Sequence, residues 1–403
     1  MIDFNFITQY RTKANYGKSY QNAKASYLRR IRWAVSMFYF SMGLCFASWA
    51  SRIPDIKTAL HLSEGALGTL LFAVPLGQLV TMPFSGKLVT RFGSRNMTLF
   101  SLLMYGCSLM LLGLANDLWA LCGALFFFGI FGNLTNIAVN TQGVYTEGLY
   151  KRAIMSTFHG VWSFAGFTGA LVGLMMLGFK LTPFRHFFVV LVVVTALAAF
   201  NFKYLIKAKE TASVQKKKLF TKPDSALLWL GAIAFCCMAS EGIMFDWSGV
   251  YFKEIVKAPG ALVTLGYASF MVVMAGGRFF GNKLIHRSGS RKIMFISGAM
   301  ISTGFFTAVI FPYIIPATFG FMLVGLGVST IVPTVYSAAG KNKSVPPGEA
   351  LTTVSSVSFF GFLIGPPIIG YIAELSSLRV SFACIGIFGI VIAVMVSKIK
   401  VIV

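Results

Sequence analysis

The chain is a series of apolar runs separated by short polar breaks. Each run has about 20 residues, which as a helix spans a hydrocarbon layer of about 30 Å. Helices are expected because they satisfy their backbone hydrogen bonds internally, as lipid requires. The pattern predicts twelve membrane spans: 31–59, 64–86, 96–115, 118–145, 152–179, 184–207, 224–255, 261–283, 292–311, 314–340, 348–374 and 378–399. No loop between them is long enough to house a soluble domain.

Composition agrees with this pattern. Of 403 residues, 56% are hydrophobic and 12% are charged, whereas soluble proteins carry about 25% charged residues. The net charge of +23 would indicate nucleic-acid binding in a soluble protein. Here 27 of the 35 lysines and arginines fall on one side of the predicted membrane. The positive-inside rule then places both termini in the cytoplasm, and we expect membrane lipid rather than nucleic acid as the partner of this charge.

Enzyme and metal-site signatures are not found in the sequence. The six cysteines lie in apolar runs without the spacing of metal ligands or of a disulfide framework. No HExxH motif or catalytic triad spacing occurs. The first 30 residues are polar and basic, so no cleaved signal peptide is predicted. We therefore expect no metal, no cofactor and no enzymatic activity.

Two similar segments indicate an internal repeat. "GKLVTRFGSRN" begins at Gly86 and "NKLIHRSGSRK" begins at Asn282, and their central arginines, Arg91 and Arg287, are 196 residues apart. The same offset aligns Gly129 with Gly325, Asn133 with Ser329, Thr157 with Thr353, and Gly169 with Gly365. Parallel halves of this kind are related by an axis along the membrane normal. We predict an N-terminal tail (1–30), a six-helix half (31–207), a central loop (208–223) and a second six-helix half (224–399).

The repeated segment resembles the signature between the second and third spans of the major facilitator superfamily. The stretches "CFASWASRIPDIK", "EGIMFDW" and "SVSFFGFLIGPPIIGYIAE" look most similar to the YbjJ-like branch, which is distantly similar to fucose-permease-type sugar transporters. The resemblance covers the whole chain. It implies an all-α membrane protein with twelve transmembrane helices in two six-helix bundles. It also implies a monomer in the bacterial inner membrane that transports a small molecule by alternating access.

One feature departs from that signature. The aspartate expected before the first arginine is replaced by Thr90, and by His286 in the second half. In the family this carboxylate helps to latch the halves on the cytoplasmic side, and this chain has no carboxylate at either position. Arg91 and Arg287 could instead bind helix C-terminal carbonyls or lipid phosphate. The repeat residues that we expect to act in conformational change are Gly86, Arg91, Gly93, Arg95, Arg287, Gly289 and Arg291.

Ionisable residues within the spans are candidates for proton coupling, because burying them in a membrane is costly. Glu241 lies about 25 Å along the seventh span from its inner end. A proton-coupling or substrate-binding role competes there with a structural carboxyl group. Asp246 is a second candidate or a solvated helix terminus. His159 in the fifth span is a possible proton relay, since imidazole titrates near neutral pH, or a hydrogen-bonded neutral residue. Arg278 is expected to reach lipid headgroups or an inner-side carbonyl.

Arg52 and Asp55 lie on one face near the outer end of the first span. Two interpretations of this pair are possible, a local ion pair and a role in gating or substrate binding.

The fourth span carries a polar face. Asn133, Asn136 and Asn140 have spacings of three and four residues and share one side of a helix. They must face a partner helix or a polar cavity, because three amides facing lipid would be too costly. Asparagine both donates and accepts hydrogen bonds, which suits polyhydroxyl ligands. Trp49 and Trp162 could stack on a sugar face or could pack in the core.

These patterns favour a secondary transporter that moves a small polar solute, sugar-like and neutral, with protons as the coupling ion. A drug or metabolite exporter is the alternative within the transporter class. A membrane receptor or scaffold that does not transport is the alternative outside it.

Overall fold

The computed structural model describes residues 17–150, 154–207, 225–340 and 347–398, and within these ranges it contains helices and no strands. The α-helices are α1 (Gly17–Ala59), α2 (Glu64–Leu71), α3 (Ala73–Phe92), α4 (Ser94–Leu114), α5 (Leu118–Tyr150), α6 (Met155–Gly178), α7 (Pro183–Asn201), α8 (Ser225–Glu254), α9 (Leu265–Ser288), α10 (Ser290–Ile310), α11 (Ile314–Gly340), α12 (Pro347–Leu375) and α13 (Leu378–Lys398). Short 3-10 helices cover Phe202–Tyr204 and Gly260–Thr264.

The prediction of twelve spans is confirmed, because the described residues contain 12 helical stretches long and apolar enough to cross a membrane. Two details differ. The helix α1 begins at Gly17, inside the predicted tail, because helical structure continues into the polar flank. The second span consists of two helices, α2 and α3, which meet at Phe72. The predicted central loop, 208–223, and residues 1–16 of the tail lie outside the described residues.

The segment expected to form a loop after Gly86 is mostly helical. The helix α3 continues to Phe92 and α4 begins at Ser94, so Gly93 alone makes the turn. Gly93 has a φ of 80° and Gly289, its equivalent in the repeat, has a φ of 81°. Glycine adopts this left-handed backbone conformation without the steric cost that a Cβ atom brings. The sequence repeat is therefore also a repeat of backbone geometry.

Helix crossings repeat with the same offset. A Cβ atom on Gly129 of α5 would strike the carbonyl oxygen of Val74 in α3, and one on Gly325 of α11 would strike that of Phe270 in α9. Val74 and Phe270 are themselves 196 residues apart. Equivalent helices thus cross equally closely in two six-span bundles, one formed by α1–α7 and the other by α8–α13. The exact bounds of the halves, 31–207 and 224–399, stay a prediction.

Among the described residues, the two bundles meet mainly through α1 with α8, α2 with α12, and α6 with α9. Further contacts join α6 to the 3-10 helix Gly260–Thr264 and α3 to α12. The end that carries Gly93 and Gly289 is called the basic end here, because Arg91, Arg95, Arg287 and Arg291 lie beside these turns. The other end, where α1 and α8 finish, is called the opposite end.

Candidate functional site

A buried ion pair lies at the boundary between the bundles. Arg278 in α9 donates from Nη2 to Oε1 of Glu241 in α8, at 2.7 Å. The side chains of Arg278 and Glu241 are 20% and 6% exposed. The expectation that Arg278 reaches headgroups or an inner-side carbonyl is therefore wrong, because a carboxylate on the neighbouring helix satisfies it. Leaving either charge buried without the other would cost several kcal/mol.

The same guanidinium also contacts the other bundle. Its Nη1 donates to Oγ of Ser163 in α6, at 2.9 Å. The Ser163 hydroxyl in turn donates to the carbonyl oxygen of His159, one turn earlier in the same helix. Arg278 thus links the Glu241 carboxylate of one half to the backbone of a helix in the other half.

A second polar cluster lies in the first bundle. Asn140 donates from Nδ2 to Oδ1 of Asn136 at 2.6 Å, and the hydroxyl of Tyr39 donates to Oδ1 of Asn140 at 2.7 Å. Asn136 is exposed. Asn133 is oriented differently, since its Nδ2 donates to Oγ of Ser85 in α3 at 2.9 Å. Two of the three asparagines therefore belong to one cluster, and the third braces α5 against α3.

His159 lies between the two polar groups. Its ring stands edge-on to Tyr39, with centroids 5.7 Å apart, and it is exposed. Since Ser163 lies one turn further along α6, the Tyr39 cluster and the Arg278 ion pair are neighbours along that helix. Sequence reasoning missed Tyr39 and Ser163, which carry no charge. It also missed that Arg278 is the partner of Glu241, although both residues lie inside predicted spans.

Aromatic side chains from both halves surround this region. The rings of Phe46, Trp162 and Phe245 contact one another, with centroid distances of 5.2–6.1 Å. Trp162 is partly exposed beside them. Trp49 is buried, at 2% exposure, so its position suits packing within the bundles.

Asp246 is not a solvated helix terminus. The helix α8 continues to Glu254. Asp246 lines a small space between the halves together with Phe46, Trp49, Leu71, Val74, Pro75, Phe362 and Pro366. A role in proton coupling stays a prediction for Asp246, Glu241 and His159.

Arg52 and Asp55 form the local ion pair that was one of their two alternatives, at 2.7 Å. Arg52 also donates from Nε to Nδ1 of His186 at 3.1 Å and from Nη2 to the carbonyl oxygen of Leu181 at 2.9 Å. All these partners belong to the first bundle. The geometry favours a brace between α1 and the start of α7, and a gating role stays a prediction.

The repeat arginines show a symmetric contact. Arg95 donates from Nε to the carbonyl oxygen of Phe202 at 3.2 Å, and Arg291 donates from Nε to that of Val396 at 3.3 Å. Each arginine therefore binds the C-terminal end of the last span in its own half, where the helix dipole favours a cation. The carbonyl contacts that the sequence suggested for Arg91 and Arg287 are made by Arg95 and Arg291.

Comparison with known proteins decides the family. The sequence profile described as Major Facilitator Superfamily matches residues 35–349. The chain belongs to this superfamily. An uncharacterized MFS-type transporter of Yersinia pestis is 32% identical over 362 residues, covering 89% of this chain and 93% of that protein. The membrane protein MosC of Rhizobium meliloti is 30% identical over 364 residues, covering 89% of this chain and 88% of MosC.

A solved structure supports the major facilitator fold. A mutant of the nucleoside transporter NupG superposes with a TM-score of 0.76 at 12% sequence identity, covering 91% of this chain and 99% of the NupG chain. The chain is therefore an all-α major facilitator transporter with twelve candidate spans in two six-helix bundles. Its substrate is not specified by these likenesses.

Proposed function

We propose that this transporter moves a small polar, sugar-like solute across the bacterial inner membrane by alternating access, coupled to protons. The observation that carries the proposal is the buried Glu241–Arg278 ion pair, whose guanidinium also binds Ser163 in the other half. A proton on Glu241 would remove the negative charge that holds Arg278. The guanidinium would then be free to change partners, so proton binding would be coupled to the contact between the bundles.

The polar cluster beside this pair supports a neutral solute. Tyr39, Asn136 and Asn140 offer hydrogen-bond donors and acceptors without net charge. Asn136 and His159 are exposed and accessible to a ligand. Trp162 supplies an aromatic face of the kind that packs against the apolar face of a sugar ring. Asn133 joins the proposed site only if its bond to Ser85 breaks.

The contacts between the halves indicate which end gives access. Polar bonds between α1 and α8 and between α2 and α12 cross at the opposite end. These bonds support access from the basic end, which faces the cytoplasm with the predicted orientation of the termini. We also place the chain in the YbjJ-like branch and expect a monomer.

Proton flux induced by solute in proteoliposomes tests the proposal. The panel contains neutral sugars, amino sugars, amino acids and hydrophobic cations. We expect a sugar to induce proton flux in the wild type and none in Glu241→Gln. Asp117→Asn is the matched control, because Asp117 caps α5 at the opposite end and lies outside the site.

The other outcomes separate the alternatives. Flux with hydrophobic cations alone would favour a drug exporter. Solute binding without flux in folded protein would favour a receptor. Equal sugar-induced proton flux in the wild type and Glu241→Gln would remove Glu241 from the coupling mechanism.

A further inference from the structure

Two lysines at the opposite end occupy equivalent positions in the repeat. Lys57 lies at the end of α1 and Lys253 at the end of α8, and they are 196 residues apart. Lys57 donates from Nζ to the carboxylate of Glu254 in α8. Lys253 donates from Nζ to Oγ1 of Thr58 in α1, at 2.6 Å. Thr58 and Glu254 are also equivalent, since each follows one of the lysines. Each lysine therefore binds the residue that follows the other lysine, across the boundary between the halves.

The two arms of this arrangement are chemically unequal. Lys57 is 9% exposed and binds two carboxylates, Glu254 and Glu64, the latter at 3.0 Å. Lys253 binds neutral acceptors, the Thr58 hydroxyl and the carbonyl oxygen of Pro54 at 3.1 Å. Both lysines are cations, but only the acceptors of Lys57 carry negative charge, so Coulomb attraction adds to the hydrogen bonds of Lys57. Because its acceptors are ionised, the Lys57 arm is the stronger one.

Further contacts join the two halves beside these lysines. The Glu374 carboxylate in α12 accepts from the backbone N–H of Gly65 in α2, at 2.6 Å. A Cβ atom on Gly68 of α2 would lie 3.0 Å from Cα of Gly370 in α12. The halves are thus in backbone contact where the lysines cross.

We infer that Lys57 and Lys253 form a reciprocal latch that holds this end of the transporter closed. Glu64 lies in the same half as Lys57 and can keep its bond to Lys57 when the halves separate. Of the two bonds of Lys57, only the one to Glu254 then has to break, and Glu254 keeps the neighbouring Lys253 ammonium group as a nearby cation. The bonds of Lys253 to Thr58 and Pro54 break at the same time. The latch can therefore hold this end closed and can also open, because Lys57 and Glu254 each keep an oppositely charged neighbour after they separate. The inference rests on alternating access and on neither the solute nor the proton coupling proposed above.

Distances between spin labels test the latch without any substrate. One label pair replaces Asn116 and Tyr313, exposed residues of the short turns at the opposite end of each half. A second pair replaces Asn96 and Lys292, exposed residues at the basic end. The six native cysteines are first replaced.

Three variants and one control are compared with these labels. The variants are Lys57→Met, Lys253→Met and the exchange Lys57→Glu/Glu254→Lys. Lys180→Met is the control, because Lys180 is an exposed lysine with no bond to the other half among those of the described residues.

We expect Lys57→Met to add a population with a longer Asn116–Tyr313 distance and a shorter Asn96–Lys292 distance. Lys253→Met should give a smaller change in the same direction, and Lys180→Met should match the wild type. The exchange variant should return towards the wild type, because one ammonium group again lies between two carboxylates. Hydrogen exchange of the remaining helices shows whether each variant is folded.

Unchanged distances in folded Lys57→Met would overturn the latch. An exchange variant that stays as open as Lys57→Met would also overturn it, since the effect would then not depend on the ion pair. Failure of the flux experiment would leave these distances unaffected, so the two proposals fail separately.

Discussion

Arg278 donates one hydrogen bond to Glu241 in its own bundle and another to Ser163 in the other bundle. One guanidinium group therefore contacts both the Glu241 carboxylate and a helix of the other half. This relationship joins a charge pair within one bundle to the contact between the bundles.

Removal of the Ser163 hydroxyl tests the contact between the bundles. We expect Ser163→Ala to lower the transport rate several-fold, because a hydrogen bond to a charged group contributes about 1.5–3 kcal/mol. Initial rates of solute uptake measure the effect. Ser101→Ala is the control, since Ser101 bonds only within its own helix among the contacts described. Equal rates in both variants would show that the Arg278–Ser163 bond does not contribute.

Tyr39 orients Asn140, and its hydroxyl can be removed with little change of shape. Tyr39→Phe should weaken solute binding about five- to tenfold, because one neutral hydrogen bond contributes about 1 kcal/mol. The half-saturation concentration for a transported solute reports this loss. Tyr313→Phe changes an exposed tyrosine in a turn at the opposite end and should leave that concentration unchanged. Equal values for the two variants would place Tyr39 outside the binding site.

Gly129 and Gly325 allow the equivalent helix crossings described above. Alanine at either position should lower the thermal unfolding midpoint, since forcing a methyl group into a packed crossing costs about 1–3 kcal/mol. Gly123→Ala, in the same helix as Gly129, meets no atom within 4 Å. It should be neutral or slightly stabilising, because alanine favours helix formation. Melting curves of the purified proteins distinguish these outcomes, and a Gly123→Ala loss as large as the others would contradict the crossing explanation.

Arg95 and Arg291 stabilise the ends of the last spans of their halves. Arg95→Gln and Arg291→Gln should each reduce stability by about 0.3–1 kcal/mol, as expected for a cation at a helix C-terminus. Arg91→Gln should have a smaller effect, because Arg91 is exposed and lies over the ring of its neighbour Phe92. Thermal unfolding at low and high salt measures the losses. They should shrink in high salt, and losses independent of salt would exclude the electrostatic account.

The contacts of the candidate residues could be predicted from the sequence only in part. Asn136 and Asn140 were recognised because spacing along one helix is enough to place them on one face. The partner of Glu241 was not recognised, because Arg278 lies 37 residues away on another helix. Whether the two side chains can meet depends on the rotation of both helices. Asn133 shares the periodicity of the other asparagines, but the proximity of Ser85 in α3 decides its orientation.

By itself the sequence determined the twelve spans, the two equivalent halves and the family. The reason is that hydropathy over about 20 residues and the covalent repeat need no knowledge of neighbouring helices. Only the tertiary structure decided which charges pair. Lys57 and Lys253 could be counted from the sequence as two outer-side cations, but their reciprocal bonds depend on how α1 and α8 cross. Contacts between helices that are far apart in the sequence depend on how the helices pack, and this packing exists only in the folded protein.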